Sequence, residues 1–181
     1  TNMDDVGKPG YEAEKNILLN ELGIKLDQDL RGSSKSPIGV AISGEKYDAN
    51  TIQNQNGDNM KTTVSDVMNA VIKGDPVYIH CQIGSDRTGH MCMLYLALLG
   101  CDLKECDIDY EITSFASAMT GGTRTIGSGN EASFRSKFIK SPYDNNSVPE
   151  AVENYVVNTL KISLDTVKKF RKAMGVSETL N

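Results

Sequence analysis

The sequence lacks two features that mark broad classes of protein. It has no basic excess, because 19 Lys and Arg residues stand against 24 Asp and Glu, for a formal net charge of −5. A nucleic-acid-binding surface is normally basic, so this charge argues against a nucleic-acid partner. No apolar run is long enough to cross a bilayer. The length of 181 residues predicts one domain with a real hydrophobic core.

Cysteine is scarce, and its spacing does not predict a metal site. The four cysteines lack the paired spacing that is typical of zinc ligands. Cys101 and Cys106 could form a disulfide or stay free. The spacing therefore predicts no metal site, and we expect no cofactor.

The sequence does contain a strand, a tight polar loop and a helix start between Val77 and Gly89. Residues 77–79 are apolar and favour a β-strand, and Pro76 suits a strand start. Helical spacing of apolar residues begins after Arg87. The loop is therefore expected at a helix N-terminus, where free N–H groups and the helix dipole favour an anion such as phosphate.

The side chains of this loop suit phosphate chemistry. The helix dipole and free N–H groups that favour phosphate also stabilise a thiolate. We therefore expect the pKa of Cys81 to lie below that of a free thiol. Gly84 allows the loop to curl so that its N–H groups converge. Arg87 can hold two phosphate oxygens through its planar guanidinium. Thr88 can donate a hydrogen bond to Cys81 when the sulfur becomes a leaving group. An inert, packed cysteine is the alternative interpretation.

The loop resembles the His-Cys-x5-Arg-Thr-Gly signature of cysteine-dependent protein tyrosine phosphatases. Its Gly-Ser-Asp-Arg-Thr-Gly stretch is most similar to a bacterial branch of tyrosine and dual-specificity enzymes. The similarity extends more loosely to residues 22–25, 29–32, 98–100, 109–115 and 152–155. The resemblance implies that His80 and Thr88 support the loop. It implies that phosphate is bound by Gln82, Ile83, Gly84, Ser85, Asp86 and Arg87.

The resemblance also implies a reaction with three roles. Cys81 attacks phosphorus, Arg87 and the loop N–H groups stabilise the transition state, and a carboxylic acid protonates the leaving oxygen. Asp86 is the first choice for this acid, with helix capping or an ion pair as its structural alternative. Asp58 is the second choice, because related enzymes often carry an aspartate on an upstream loop, and Asp48 lies in the same polar segment. The chain has no Trp, so it has no Trp-Pro-Asp motif.

Three further residues have both a functional and a structural interpretation. His80 is expected to support the loop and not to act as an acid or base. Arg31 lies near the pocket by resemblance, or else forms an ion pair with Asp29. Arg124, in a Gly-rich segment, could attract phosphorylated substrates or could be an ordinary solvated charge.

Strands interleaved with helices predict an α/β domain with a mostly parallel central sheet flanked by helices, similar to protein tyrosine phosphatases. The predicted strands are residues 24–30, 38–42 and 77–79, and Gln28 fits a buried strand position poorly. Besides the helix after the loop, the predicted helices are residues 11–22, 62–73, 103–118, 131–140 and 149–160, with a last one from Ser163 to Gly175. Tyr110, Phe115 and Leu164 are expected to face inward at least in part.

The expected function is phosphomonoester hydrolysis through a cysteinyl-phosphate, with phosphotyrosine protein as the first substrate. Lys often stands at the position of Ser85 in phosphoinositide phosphatases of this type, so Ser85 disfavours a lipid without excluding it. Other small phosphate esters, or a phosphate-binding module without turnover, are the alternatives. A phosphotyrosine pocket would gain from an aromatic rim, for which the candidates are Tyr47, Tyr110 and Tyr143.

Residues 1–181 are expected to form a single phosphatase domain, and the resemblance suggests an N-terminal segment upstream of Thr1. A working Cys81 must stay reduced, which favours the cytoplasm. Secretion with the signal removed is the alternative, because a start at Thr1 is uninformative. The sequence predicts no oligomeric state.

Overall fold

A parallel sheet of three strands carries the candidate site. The structure is a computed structural model, and it describes residues 7–32, 35–43, 58–116 and 147–180. Strands β1 (Leu26–Asp29), β2 (Ala41–Ser43) and β3 (Val77–His80) pair in the order β2-β1-β3. The predicted α/β class with a parallel sheet is confirmed. Because parallel strands end at the same edge, the last residues of β1 and β3, Asp29 and His80, lie side by side.

Six α-helices belong to the described part of the chain. They are α1 (Tyr11–Asn16), α2 (Asp58–Lys73), α3 (Asp86–Leu98), α4 (Leu103–Ile112), α5 (Val148–Asn154) and α6 (Leu164–Ala173). Three of them change pitch as they end: α1 and α5 run into π-helical turns (Ile17–Glu21 and Tyr155–Thr159), and α4 runs into a 3-10 turn (Thr113–Ala116). Helix α2 packs against α6, and α3 packs against both α4 and α5. Within these ranges no helix is long and apolar enough to cross a membrane.

Local sequence signals explain where several helices begin and end. The Ser163 side chain accepts a hydrogen bond from the N–H of Thr166 at the start of α6, as predicted. Gly175 ends that helix with a φ of 77°, and Gly23 ends the first helical segment with a φ of 65°. Helix α2 begins at Asp58, four residues before the predicted start at 62. Three of the four added residues are polar, so the apolar pattern marked only part of the helix, although Met60 in this first turn joins the main core.

The strands place apolar residues on one face and charged residues on the other. Leu26, Val77 and Ile79 face the main core, and alternation puts Asp27 and Asp29 on the opposite face. The buried core residues include Val64, Met68, Leu94, Leu98, Val167 and Phe170. A second apolar cluster, formed by Tyr11, Ile24 and Ile38, packs with Tyr78. The charged face of β1 is therefore enclosed, although it is not apolar.

Three expectations about burial are wrong. Gln28 is fully buried, and this is possible because its Nε2 donates a hydrogen bond of 2.7 Å to the Thr63 carbonyl. Phe115 is 93% exposed, since it lies in the 3-10 turn, where a tighter pitch rotates side chains away from the stripe of α4. Leu164 is the first residue of α6 and is exposed, whereas Val167 and Phe170 are buried as predicted.

The expectations for the helix at 131–140, for Arg124, and for Asp48, Tyr47 and Tyr143 lie outside the described residues.

Candidate active site

Cys81 lies directly after β3 and just before a loop that leads into α3. Its side chain is almost fully buried, with 6% of the residue exposed. Gly84 turns the loop with a φ of 72°, a value that a residue with a Cβ rarely adopts. Helix α3 then begins at Asp86, before the position predicted from apolar spacing, because its first turn is polar. Only residues 81–85 therefore separate the strand from the helix.

Four hydrogen-bond donors converge on the Cys81 sulfur. Burial raises the pKa of this thiol, but the Thr88 hydroxyl and the backbone N–H groups of Thr88, Ile83 and Gly84 outweigh burial and lower it. The Thr88 hydroxyl is buried and has no partner that meets strict hydrogen-bond geometry among the described residues, which leaves it available to the sulfur. Donors aimed at a sulfur stabilise its ionised form. Cys81 is therefore poised to ionise despite its burial.

The other cysteines have the opposite character. All four described cysteines are free thiols, so Cys101 and Cys106 are not paired with each other. Burial raises the pKa of Cys92 to about 11 and that of Cys106 to about 12, with further help from nearby negative charge. The pKa of Cys101 is also raised, first by burial. Cys81 is thus the one cysteine whose pKa is lowered.

The turn after β1 holds Arg87. The Nη1 group of Arg87 donates to the Leu30 carbonyl over 3.2 Å. The Leu30 N–H in turn donates to the His80 carbonyl over 2.9 Å. Leu30 therefore connects the residue before Cys81 to the guanidinium that follows the loop. Both ends of the loop are anchored in this way to the turn after β1.

Arg31 forms an ion pair with Asp29, one of its two predicted roles. Its Nε and Nη2 donate to the two carboxylate oxygens over 2.7 Å and 2.6 Å. The Arg31 backbone N–H adds a bond of 2.9 Å to the same carboxylate. Gly32 closes the turn by donating to the Asp29 carbonyl over 3.1 Å. This bidentate ion pair with the fully buried Asp29 carboxylate fixes the turn that presents the Leu30 carbonyl.

His80 is held by a carboxylate that sequence reasoning missed. Its Nε2 lies 2.8 Å from Asp27 Oδ1, and the Ser36 hydroxyl donates to Asp27 Oδ2 over 2.6 Å. The Tyr78 ring stacks on the imidazole with 4.8 Å between centroids. Burial lowers the pKa of His80, but the Asp27 bond and charge, aided by Asp29, outweigh burial and raise it. The sequence signal for this cluster was the pair Asp27 and Asp29, which lie two positions apart in a predicted strand and so share one face.

Asp86 and Tyr110 are in contact. The Tyr110 hydroxyl donates to Asp86 Oδ1 over 3.2 Å. Tyr110 is only 2% exposed, so the expectation that it lines the rim of a pocket is wrong. Its ring lies against Gly89 in the first turn of α3 and is therefore not placed to stack on a substrate. Asp86 itself is exposed.

The remaining predicted site residues differ in how deeply they are buried. Gln82 and Ile83 are exposed, whereas Ser85 is fully buried and its hydroxyl has no partner among the described residues. Asp58 opens α2, but its side chain lies outside the described part of the structure. Within that part, no group of three or more His, Cys, Asp and Glu side chains could hold a metal ion.

An apolar cavity of about 420 Å³ lies beside β3, lined by residues that include Val77, Tyr95 and Phe170. No residue of the loop that follows Cys81 lines it. This cavity is therefore separate from the phosphate loop.

The chain belongs to the tyrosine phosphatase family: a sequence model of that family matches residues 9–176. The predicted resemblance is thereby confirmed, and the α/β fold with its parallel sheet agrees with it. Membership supports phosphoester hydrolysis as the general chemistry. A search of curated proteins gives no match.

We predict that Thr88→Val raises the pH at which Cys81 becomes reactive, because the variant loses a donor to the thiolate. The measurement is iodoacetamide labelling from about pH 5 to about pH 9, with the labelled peptide quantified by mass spectrometry. Thr88→Ser keeps the hydroxyl and should retain the wild-type midpoint. An unchanged midpoint in Thr88→Val would contradict the assigned hydrogen bond.

We also predict that His80 makes folding stability depend on pH. The folded-state pKa of His80 is raised above 6.5, so its contribution is fully present below that pH and is lost as the pH rises through the raised pKa. Asp27→Asn removes the charge that stabilises the imidazolium and should flatten this decline. Urea unfolding from about pH 6 to about pH 8.5 measures the free energy of unfolding.

The matched control for that experiment is Asp165→Asn, at an exposed position of α6. It should leave the pH dependence unchanged. An equally steep decline in Asp27→Asn and in the wild type would show that the Asp27–His80 pair does not carry the effect.

Proposed function

We propose that this chain is a phosphomonoester hydrolase that works through a cysteinyl-phosphate on Cys81 and acts on phosphotyrosine in proteins. The observation that carries the proposal is the set of donors that converge on the Cys81 sulfur and lower its pKa. A thiolate is the reactive form of cysteine, and a nucleophile ionised near neutral pH is what covalent phosphoryl transfer needs. We further propose that residues 1–181 act as one phosphatase domain in a reducing compartment.

In the first step the Cys81 thiolate attacks phosphorus. A bond forms between sulfur and phosphorus while the bond from phosphorus to the ester oxygen breaks. Arg87 and the loop N–H groups stabilise the three equatorial oxygens as charge shifts during transfer. Asp86, as the carboxylic acid, gives its proton to the departing ester oxygen, which leaves as a neutral phenol or alcohol.

In the second step a water molecule attacks the phosphorus of the cysteinyl-phosphate. The Asp86 carboxylate takes a proton from this water, and the bond between sulfur and phosphorus breaks. The sulfur leaves as a thiolate, which the Thr88 hydroxyl and the converging N–H groups stabilise. Inorganic phosphate is released, and both Cys81 and Asp86 return to their starting states.

Asp86 is the better supported of the candidate acids. It is the first residue of α3, it is exposed, and it follows the phosphate loop directly. A carboxyl group there is within a few residues of both Cys81 and Arg87. Asp58 opens α2 and stays the second candidate.

The substrate proposal depends on the loop side chains. Ser85 is buried and uncharged, so the loop offers no second cation at the position where a lipid-type loop often has Lys. Ile83 is 41% exposed and presents an apolar surface in the loop. These features favour an aromatic ester over a polyphosphorylated headgroup. Phosphoinositides and other small phosphate esters are the second candidate, and Arg124 is a proposed contributor to substrate attraction.

The test is hydrolysis of a phosphotyrosine peptide, a soluble phosphoinositide and para-nitrophenyl phosphate under reducing conditions. Cys81→Ser should abolish turnover of all three. Arg87→Lys should lower kcat by about 10²–10³-fold, the usual cost of losing one donor to the transition state. Cys101→Ser, at a thiol outside the loop, is the matched control and should keep the wild-type rate.

The three substrates separate the alternatives. A higher kcat/KM for the phosphopeptide than for the phosphoinositide supports the proposal, and the reverse order would move the assignment to the lipid or small ester class. Turnover that persists in Cys81→Ser would contradict the cysteinyl-phosphate mechanism. Binding of vanadate by a wild type that hydrolyses nothing would identify a phosphate-binding module instead.

A further inference from the structure

Tyr110 is a buried aromatic residue whose polar end points at the proposed acid. It lies in α4, 24 residues away from Asp86 along the chain, and is 2% exposed. Its hydroxyl donates to Asp86 Oδ1 over 3.2 Å. A buried Tyr usually places its hydroxyl on a partner, and here the chosen partner is an exposed carboxyl group at the phosphate loop.

Gly89 makes this contact possible. A Cβ at this position would lie 2.9 Å from Tyr110 Cδ2 and 3.3 Å from Cε2, well inside the ~3.5–4.0 Å of an ordinary carbon contact. Gly89 follows Asp86 by three residues, so both lie on the same side of the first turn of α3. The Tyr110 ring therefore packs directly against the backbone at Gly89, and its hydroxyl reaches the Asp86 carboxyl group.

The glycine has no conformational reason to be there. Gly89 lies within α3 and has no positive φ, and its N–H makes an ordinary helical bond to the Ser85 carbonyl over 2.8 Å. Glycine inside a helix is unfavourable by about 0.5–1 kcal/mol relative to Ala. Space for the Tyr110 ring is the structural feature that accounts for its presence.

We infer that Tyr110 is a positioning residue for the proposed acid: it holds the Asp86 carboxyl group in the orientation from which its proton goes to the leaving oxygen. The inference rests on the proposed function, in which Asp86 is the general acid. A phenol that donates to Oδ1 limits the rotation of the carboxyl group and so fixes the direction in which the neutral acid presents its proton. Tyr110 does not touch the substrate in this account, and it acts only through Asp86.

The test compares two leaving groups in the variant Tyr110→Phe. Phenol, like the Tyr side chain, has a pKa of about 10 and needs protonation as it departs, whereas para-nitrophenol is far more acidic and does not. Tyr110→Phe should therefore lower kcat/KM for phenyl phosphate by about tenfold, close to the effect of one lost hydrogen bond. The loss for para-nitrophenyl phosphate should be much smaller.

A second readout is the dependence of kcat/KM on the leaving group across a series of aryl phosphates. In Tyr110→Phe the loss should grow as the departing phenol becomes less acidic, because a poorer leaving group depends more on its proton donor. A purely structural lesion would lower kcat/KM equally across the series. That result in Tyr110→Phe would overturn the inference.

Two further variants control for an effect of misfolding. Tyr95→Phe, at another buried tyrosine of the described helices, packs near Phe170 and should leave the ratio of the two substrates at its wild-type value. Gly89→Ala keeps Tyr110 but displaces its ring, and it should reproduce the loss that is selective for phenyl phosphate. Thermal unfolding of each variant confirms that the fold is retained.

Asp86→Asn separates failure of the inference from failure of the proposed function. If Asp86→Asn shows the leaving-group effect and Tyr110→Phe does not, the acid stands and the role of Tyr110 is overturned. If neither variant shows it, the proposed acid is wrong, and the role of Tyr110 is overturned with it. The expected result is that both show it and that the double variant is no worse than Asp86→Asn alone, because Tyr110 acts only through that residue.

Discussion

The convergence of hydrogen-bond donors on the Cys81 sulfur is the interaction on which the site depends. Burial by itself would keep this thiol protonated, as it does for Cys92 and Cys106. The Thr88 hydroxyl, together with the N–H groups of Thr88, Ile83 and Gly84, reverses that tendency, because the chain passes from β3 into α3 within one short loop. In the proposed reaction the same donors serve the phosphate oxygens and the departing sulfur. The proposed reactivity therefore comes from one side-chain donor and the backbone geometry of the loop together.

Strand β1 supports this geometry through charges that would be costly if they were unpaired. Asp27 and Asp29 are both fully buried. Each has charged or polar partners: Asp27 is bound by His80 and a serine hydroxyl, and Asp29 by the guanidinium of Arg31. Removing one partner of such a pair leaves a buried charge uncompensated, which is strongly unfavourable. The buried cluster therefore fixes the position of β1 relative to both ends of the phosphate loop.

Features with a local cause could be predicted from the sequence. The strand before Cys81, the helix after it, the cap at Ser163 and the helix end at Gly175 each depend on residues within a few positions of one another. The parallel direction of the strands agreed with the expected fold class for a similar reason, since helix α2 lies between β2 and β3 in the described part of the chain. The loop itself was specific because several chemically necessary residues fall within one short stretch.

What could not be predicted depends on contacts between distant segments. Gln28 is buried because a carbonyl in α2 accepts its amide, and no local pattern shows that carbonyl. The pair of His80 with Asp27 joins residues 53 positions apart. The fit of Tyr110 over Gly89 requires knowing that α4 packs across the first turn of α3. Phe115 was misplaced because the helical period on which the expectation relied ends before that residue.

The central claim is that Cys81 carries the phosphoryl group during turnover. The most direct measurement is rapid mixing with a phosphotyrosine peptide, a quench in denaturant, and mass spectrometry of the peptide that contains Cys81. The account predicts a phosphoryl group on the Cys81 sulfur that forms before free phosphate accumulates and then decays. Release of phosphate with no modification of Cys81, or with the phosphoryl group on another residue, would contradict it.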